Sequence, residues 1–443
     1  MQKEEHKKGA FAQLLWKDMS PITHSMKPVN TLGITADKAI GLGSLSAHVV
    51  DFDRMGITTP KEKAIVLLKA AAEVEHQFIV QYLYAHYCGG STAAELDAEE
   101  QKFLMIIAQE EMGHLLSVQN LLVTLGEPHY LERNQPLPED LNPTPFRLSP
   151  FQTGFIVRFL IAESGPDFVV TPEMEKFLKT ENVLLDQIHH VGAIYAMLYW
   201  LFQDGSGASG SWTIPLGTDM SGFAALGHLS DDDFADVVTV EANLSVAGDW
   251  RAKPAPSGTG KNILVMPPKG FVDKTGMRKA ALEAIHAIAG QGEGPVALVG
   301  GEPSHAERLA KIYDKLKVID PQFISPFPVN PYLGDRPGAP PEDQITFGDA
   351  KDKAGEVNKQ YEILLLRIAL SILPGSTDRK TPAKRALSGM GVLDSTALEL
   401  VDLQRQAGGD PAQKAGPPFT FPEAGIPMDK VGIEHRLTEL GVL

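Results

Sequence analysis

Two long stretches of helical patterning, 60 to 87 and 97 to 125, separated by Gly89 and Gly90, constrain this chain more than any other feature of its sequence. Thr59 precedes Pro60 in cap and first-turn positions, and apolar residues recur at helical spacing as far as Tyr87. Asp97 and Glu100 have the spacing of a capping box, and Gly126 with Pro128 supplies the stop of the second stretch. The pair is predicted to fold as a helical hairpin.

The rest of the chain offers further helices. FIVRFLIAE (155 to 163) reads as a short apolar helix, and a third long helix is predicted over 172 to 203, entered at Thr171 with Pro172 in the first turn. A fourth fits 276 to 289, followed by the turn-rich GQGEGPVALVGGEPS and renewed helical periodicity from His305 to Lys317. One more is expected over 352 to 373, before Pro374. DGSGASGSW (204 to 212) is a flexible connection by composition. VVTV (237 to 240) and ILVM (263 to 266) suggest strand content in an insertion over 213 to 275. The expected organisation is an N-terminal arm over 1 to 58 and a helical body over 59 to 320, interrupted at about 204 to 275. A C-terminal helix with a Pro- and Gly-rich tail follows over 321 to 443.

Composition narrows the class. A hydrophobic content of 43% with 22% charged residues is that of a folded globular chain. The net charge of −16, with no Lys or Arg stripe, argues against nucleic acid as a partner. No apolar run is long enough to span a bilayer and the first 25 residues lack a signal-peptide centre, so a cytoplasmic location without membrane attachment is expected. The single Cys88 rules out an intrachain disulfide and a Cys-rich zinc site. No phosphate-binding loop follows a strand pattern, and no serine nucleophile elbow occurs.

The chemistry concentrates on the hairpin. Glu111-Met-Gly-His114 places a carboxylate and an imidazole about 60° apart on one helix face, where both can chelate one metal. Glu75 shares an apolar stripe with Ile79, Tyr82 and His86, and a carboxylate buried there needs a cation, a proton or a hydrogen-bond donor. A metal shared with Glu111 and His114 satisfies all three. Glu73 and His76 lie on other sides of that helix and read as surface or ligand-orienting groups. Glu283 and His286 form a second Glu-x-x-His pair, whose alternative is a solvated helix face. Glu163 and Asp186 read as structural or orienting carboxylates. Tyr82, Tyr84, Tyr195 and Tyr199 read as core aromatics.

EHQFIVQYLYA (75 to 85) and EEMGHLLSVQNLLVTLGEP (110 to 128) resemble the first two helices of the ferritin-like superfamily. More narrowly, they are similar to the bacterial ferritin-like proteins related to iminophenyl-pyruvate dimer synthase of violacein and rebeccamycin biosynthesis. GAIY (192 to 195), QGEG (291 to 294), SHAERLAKI (304 to 312) and AGPPFTFP (415 to 422) extend the likeness over roughly 60 to 422. The resemblance implies a mainly α, ferritin-like four-helix bundle with long insertions and extended N- and C-terminal segments. It implies metal ligands at Glu75, Glu111, His114, Glu293 and His305.

Relatives carry a Glu directly after the Gly of the third-helix motif, whereas Ala193 follows Gly192 here. His189, one turn earlier on the expected helix, is the replacement the spacing offers, ahead of His190. The cofactor expected is iron, mononuclear or dinuclear, with zinc or copper as alternatives. The function implied is an oxidoreductase that activates dioxygen or peroxide toward a small organic substrate, such as an amino-acid-derived imine of secondary metabolism. The alternatives are a non-catalytic ferritin-like metal binder and a relative with a degraded site. A homo-oligomer is compatible with either.

Overall fold

The structure is a computed structural model, and it describes residues 52 to 89, 94 to 133, 141 to 164, 168 to 205, 225 to 250, 271 to 292 and 303 to 443, without 54, 95, 98 and 99. Residues 1 to 51 of the arm expected over 1 to 58, the 206 to 212 part of the flexible connection, ILVM and Glu293 lie outside the described residues.

Helix α1 (Pro60–Tyr87) begins as its sequence dictates. The Thr59 hydroxyl accepts the Glu62 N–H at 3.2 Å while Glu62 accepts the Thr59 N–H at 3.0 Å, and Pro60 costs nothing at a position whose N–H has no helical partner. Asp97 and Glu100 make the same reciprocal bonds, which start a 3-10 turn (Glu100–Lys102) leading into α2 (Phe103–Thr124). Gly126, left-handed at φ +78°, closes α2, with its N–H on Val123 O and the Glu127 N–H on Leu122 O. The two helices pack along their length.

The third and fourth columns of the bundle are each built in two pieces. α3 (Thr153–Glu163) and α5 (Gly192–Phe202) join where the Val191 N–H donates to Ala162 O at 2.9 Å. α8 (Lys274–Gly292) packs on α5, and α9 (His305–Leu316) packs on α3. Ser304 and Glu307 form the capping box that starts α9. α5 also rests on α1, which closes the bundle around a continuous apolar core.

Three expectations are corrected. The third helix is not continuous over 172 to 203: α4 (Pro172–Thr180), capped by Thr171 as expected, ends before Asn182, which is left-handed at φ 51°. A 3-10 turn (Leu185–Gln187) and extended backbone at Ile188 carry the chain to α5. His189 and His190 therefore stand on irregular backbone, and the one-turn offset from Ala193 does not exist. VVTV is helical, in α6 (Val237–Asn243), because the Asp236 carboxylate accepts the Thr239 N–H at 3.0 Å and starts a turn that the short apolar run alone leaves ambiguous. α7 (Ala247–Trp250) follows, and the described residues contain two isolated bridges and no strand.

After α10 (Gly348–Ile372), the last 70 residues are not only a tail, since they contain α11 (Lys380–Val401) and α12 (Lys430–Glu439). α11 pairs with α10 along its length. This C-terminal layer docks on α1 through His76, whose Nε2 accepts the Tyr361 O–H at 2.7 Å and whose ring meets Phe421 edge-on. Glu73 and His76 are thus buried rather than on the surface; Glu73 accepts the Tyr130 O–H at 2.6 Å. Among the described residues no helix is long and apolar enough to cross a membrane.

Candidate metal centre

The breaks in the third and fourth columns fall at the same level as Glu75 and Glu111. Glu163 is the last residue of α3 and His305 the first of α9, so both project where their columns are interrupted. Glu75 and Glu111 sit inside α1 and α2, with His114 one turn beyond Glu111. All five side chains are buried.

They form two groups that share Glu111. Glu75, Glu111 and His114 present ligand atoms within 4.8 Å of one another, as do Glu111, Glu163 and His305. His114 Nδ1 lies 2.7 Å from Glu111 Oε2 and 3.3 Å from Glu75 Oε2. His305 Nδ1 lies 3.1 Å from Glu111 Oε1 and 3.5 Å from Glu163 Oε1. The two carboxylate oxygens of Glu111 thus address the two halves separately.

Ring orientation is fixed from behind. His114 Nε2–H donates to Gln291 Oε1 at 2.9 Å, and His305 Nε2–H donates to Glu110 Oε2 at 3.1 Å. Both Nδ1 atoms are thereby turned inward. Arg308 holds Glu110 at 2.6 and 3.3 Å. Tyr82 O–H donates to Glu163 Oε1 at 2.9 Å, and Tyr195 O–H makes a short bond to Glu75 Oε1.

Three carboxylates in an apolar core set up opposing electrostatics. Burial, then the charge of Glu111, pushes Glu75 up to about 8, and the same two causes raise Glu163. Burial also opposes ionisation of Glu111, but the nearby His305 and His114 charges outweigh it and hold its carboxyl well below the usual range. Burial works against a charged His114, and Glu111 with Glu75 overcomes it, raising the imidazole to about 10. His305 is raised in the same way by Glu111 and Glu163.

The residues fit a divalent cation better than they fit one another. Glu75 Oε2, Glu111 Oε1 and His305 Nδ1 are buried yet make no hydrogen bond. Glu111 Oε1 and His305 Nδ1 are only 3.1 Å apart, so their angles rather than their distance prevent one. Atoms that converge without bonding, each costly to leave unpaired, suit a shared ion between them. The oxygen and imidazole donors, without thiolate, belong to a hard or borderline metal. Beside them lies a water-sized cavity lined by Val191, Gly192, Tyr195, Ile288 and Gly292.

Of the ligands expected from sequence, Glu75, Glu111, His114 and His305 are brought together, and Glu293 lies outside the described residues. His189 does not enter either group: it is buried with its backbone N–H on Pro143 O. His190 Nδ1 instead donates to Ser164 O, and Glu283 and His286 stand half-exposed on α8 outside both groups. Asp186 is exposed. Glu163, expected to orient other ligands, is itself a member of the second group and supplies a third-column carboxylate despite Ala193.

The Glu163 signal was present in the sequence: a lone carboxylate ending an apolar helix faces the burial cost argued for Glu75. Glu110 and Gln291 were not singled out, because nothing in helical spacing shows which residue stands behind a ring from another helix.

The helical bundle around this carboxylate and histidine centre is similar to the ferritin-like fold, and a family model described as ferritin-like matches residues 68–210. The chain is also similar to 2-imino-3-(indol-3-yl)propanoate dimerase of Chromobacterium violaceum, with 29% identity over 202 residues. The match takes in 37% of this chain and 20% of that relative, so it spans about a fifth of the relative's length. No solved structure is significantly similar to the chain.

Proposed function

We propose that the chain is a metal-dependent oxidoreductase whose centre holds two iron ions, one in each group joined by Glu111. The observation that carries this reading is the pair of Nδ1 atoms, each turned toward a carboxylate pair by a hydrogen bond on the opposite ring nitrogen. When bound, iron would supply electron transfer to or from dioxygen or peroxide. Glu75 and Glu163 would be the terminal carboxylates and Glu111 the one that spans both positions. Tyr195 and Tyr82 hold the terminal carboxylates in place, and the apolar walls at Val191 and Ile288 exclude bulk water. Similarity to a dimerase of an indole-bearing imine supports an amino-acid-derived imine as the organic substrate.

The water-sized cavity favours a second reading, in which the centre handles only small inorganic partners and acts as a metal binder. Elemental analysis of protein reconstituted with iron under reducing conditions tests the first requirement of both. About two irons per chain are expected, with both lost in Glu111→Ala because that residue serves both positions. Absence of bound iron after reconstitution would sink the metal-centre reading. Oxygen-dependent consumption of an aromatic amino-acid imine by the loaded protein, lost in Glu111→Ala, separates the enzyme from the binder.

A further inference from the structure

The two halves of the centre are not equivalent, and the difference lies behind the histidines. His305 is backed by a carboxylate, Glu110, which is fixed by Arg308. His114 is backed by the neutral amide of Gln291. A carboxylate accepting the remote N–H draws that proton away from the ring and makes the inward Nδ1 a stronger donor than an amide does. The charges of Glu75 and Glu163 are matched, since each is a terminal carboxylate held by one tyrosine.

Helix ends do not reverse the contrast. Glu163 closes α3, whose negative end favours a cation, while His305 opens α9, whose positive end disfavours one, and their side chains meet at 3.5 Å; the end of α8 at Gly292 and the start of α5 at Gly192 form a second opposed pair beside the cavity. Their opposition leaves Glu110 against Gln291 as the residual difference.

We infer that the Glu111, Glu163 and His305 position is the tighter of the two metal sites and fills first, with Glu110 as the positioning residue that makes it so. This rests on the metal-centre reading above. It divides one shared centre into a more tightly held ion and a more exchangeable one on the Glu75 and His114 side, with the cavity bordered by Glu75, Glu111, His114 and Glu163 but not by His305.

Anaerobic titration of the full chain with cobalt(II), followed by visible absorption and calorimetry, tests it. The wild type is expected to take up cobalt with two unequal constants. Glu75→Gln should keep the tighter one and Glu163→Gln the weaker. Glu110→Gln should weaken the tighter constant by about 10- to 100-fold and leave the other in place. Circular dichroism checks each variant, and if Glu110→Gln does not fold, the Glu75 and Glu163 variants decide alone. Two equal constants, survival of the tighter site in Glu163→Gln, or an unchanged pair in a folded Glu110→Gln would each overturn the inference while leaving a metal centre. A wild type that binds no cobalt overturns the centre and the inference together.

Discussion

Acidification from pH 8 to pH 5 is expected to remove about 2 kcal/mol of stability from the wild-type chain through His76 alone. His76 lies in the middle of α1 and is buried under the C-terminal layer. Its Nδ1–H donates to Glu132 O at 3.4 Å, its Nε2 accepts the Tyr361 O–H at 2.7 Å, and Tyr361 accepts from Arg133 at 3.0 Å. Burial, followed by the Arg133 charge, pushes the imidazole down from 6.5 to about 3. The folded chain therefore keeps His76 neutral at pH 5, whereas the unfolded chain protonates it below 6.5.

Because the unfolded state binds the extra proton throughout that window, stability is complete above pH 6.5 and falls as the pH drops toward 3. At pH 5, about 1.5 units below the unfolded value and about 1.36 kcal/mol per unit, the loss is about 2 kcal/mol. At pH 8 it is negligible. Other buried groups titrate too, among them His129, which burial and Arg379 lower to about 3. The variant His76→Gln isolates the contribution, since Gln keeps a polar side chain and titrates nothing. Urea unfolding of both proteins at pH 8 and pH 5 gives a double difference in which the groups common to both cancel. Equal losses of stability in wild type and variant would refute the reasoning.

Tyr361→Phe removes the donor to His76 and the acceptor of Arg133 in one buried cluster, and is expected to cost about 1 to 3 kcal/mol in the same urea experiment at pH 8. Gly292→Ala places a Cβ 3.1 Å from Glu163 Oε2, so it should lower iron occupancy after reconstitution while the far-ultraviolet circular dichroism stays that of the wild type. Thr59→Ala, which removes the side-chain cap of α1, is expected to cost about 1 kcal/mol with iron binding retained.

Where local chemistry decides structure, the sequence was legible. The caps at Thr59, Asp97 and Thr171 and the stop at Gly126 start and stop their segments as read, and each bonds within its own segment. The break after α4 was not legible, because Asn182 adopts its left-handed backbone in a stretch whose apolar spacing suits a helix. The burial of Glu73 and His76 was hidden for a different reason. Their side of α1 is covered by residues 57 and 285 positions away, Tyr130 and Tyr361, and periodicity within one helix cannot report a third layer. Glu111 with His114 was legible because both side chains share one helix, whereas the partnership of His305 with Glu163 spans two columns and two helix ends.

The interrupted columns also bear on what the centre can do. A continuous helix offers ligands only at its own spacing, and burying each carboxylate there costs several kcal/mol unless an ion repays it. Ending α3 at Glu163 and starting α9 at His305 frees both side chains from that spacing while the Val191 to Ala162 bond keeps the column aligned. Val191, Gly192 and Gly292, which border these breaks, line the cavity beside Glu75, Glu111, His114 and Glu163. Breaks placed at the ligand level in two columns are what a site requires if surrounding segments are to shape access for a reactant, and this favours the enzyme over the binder.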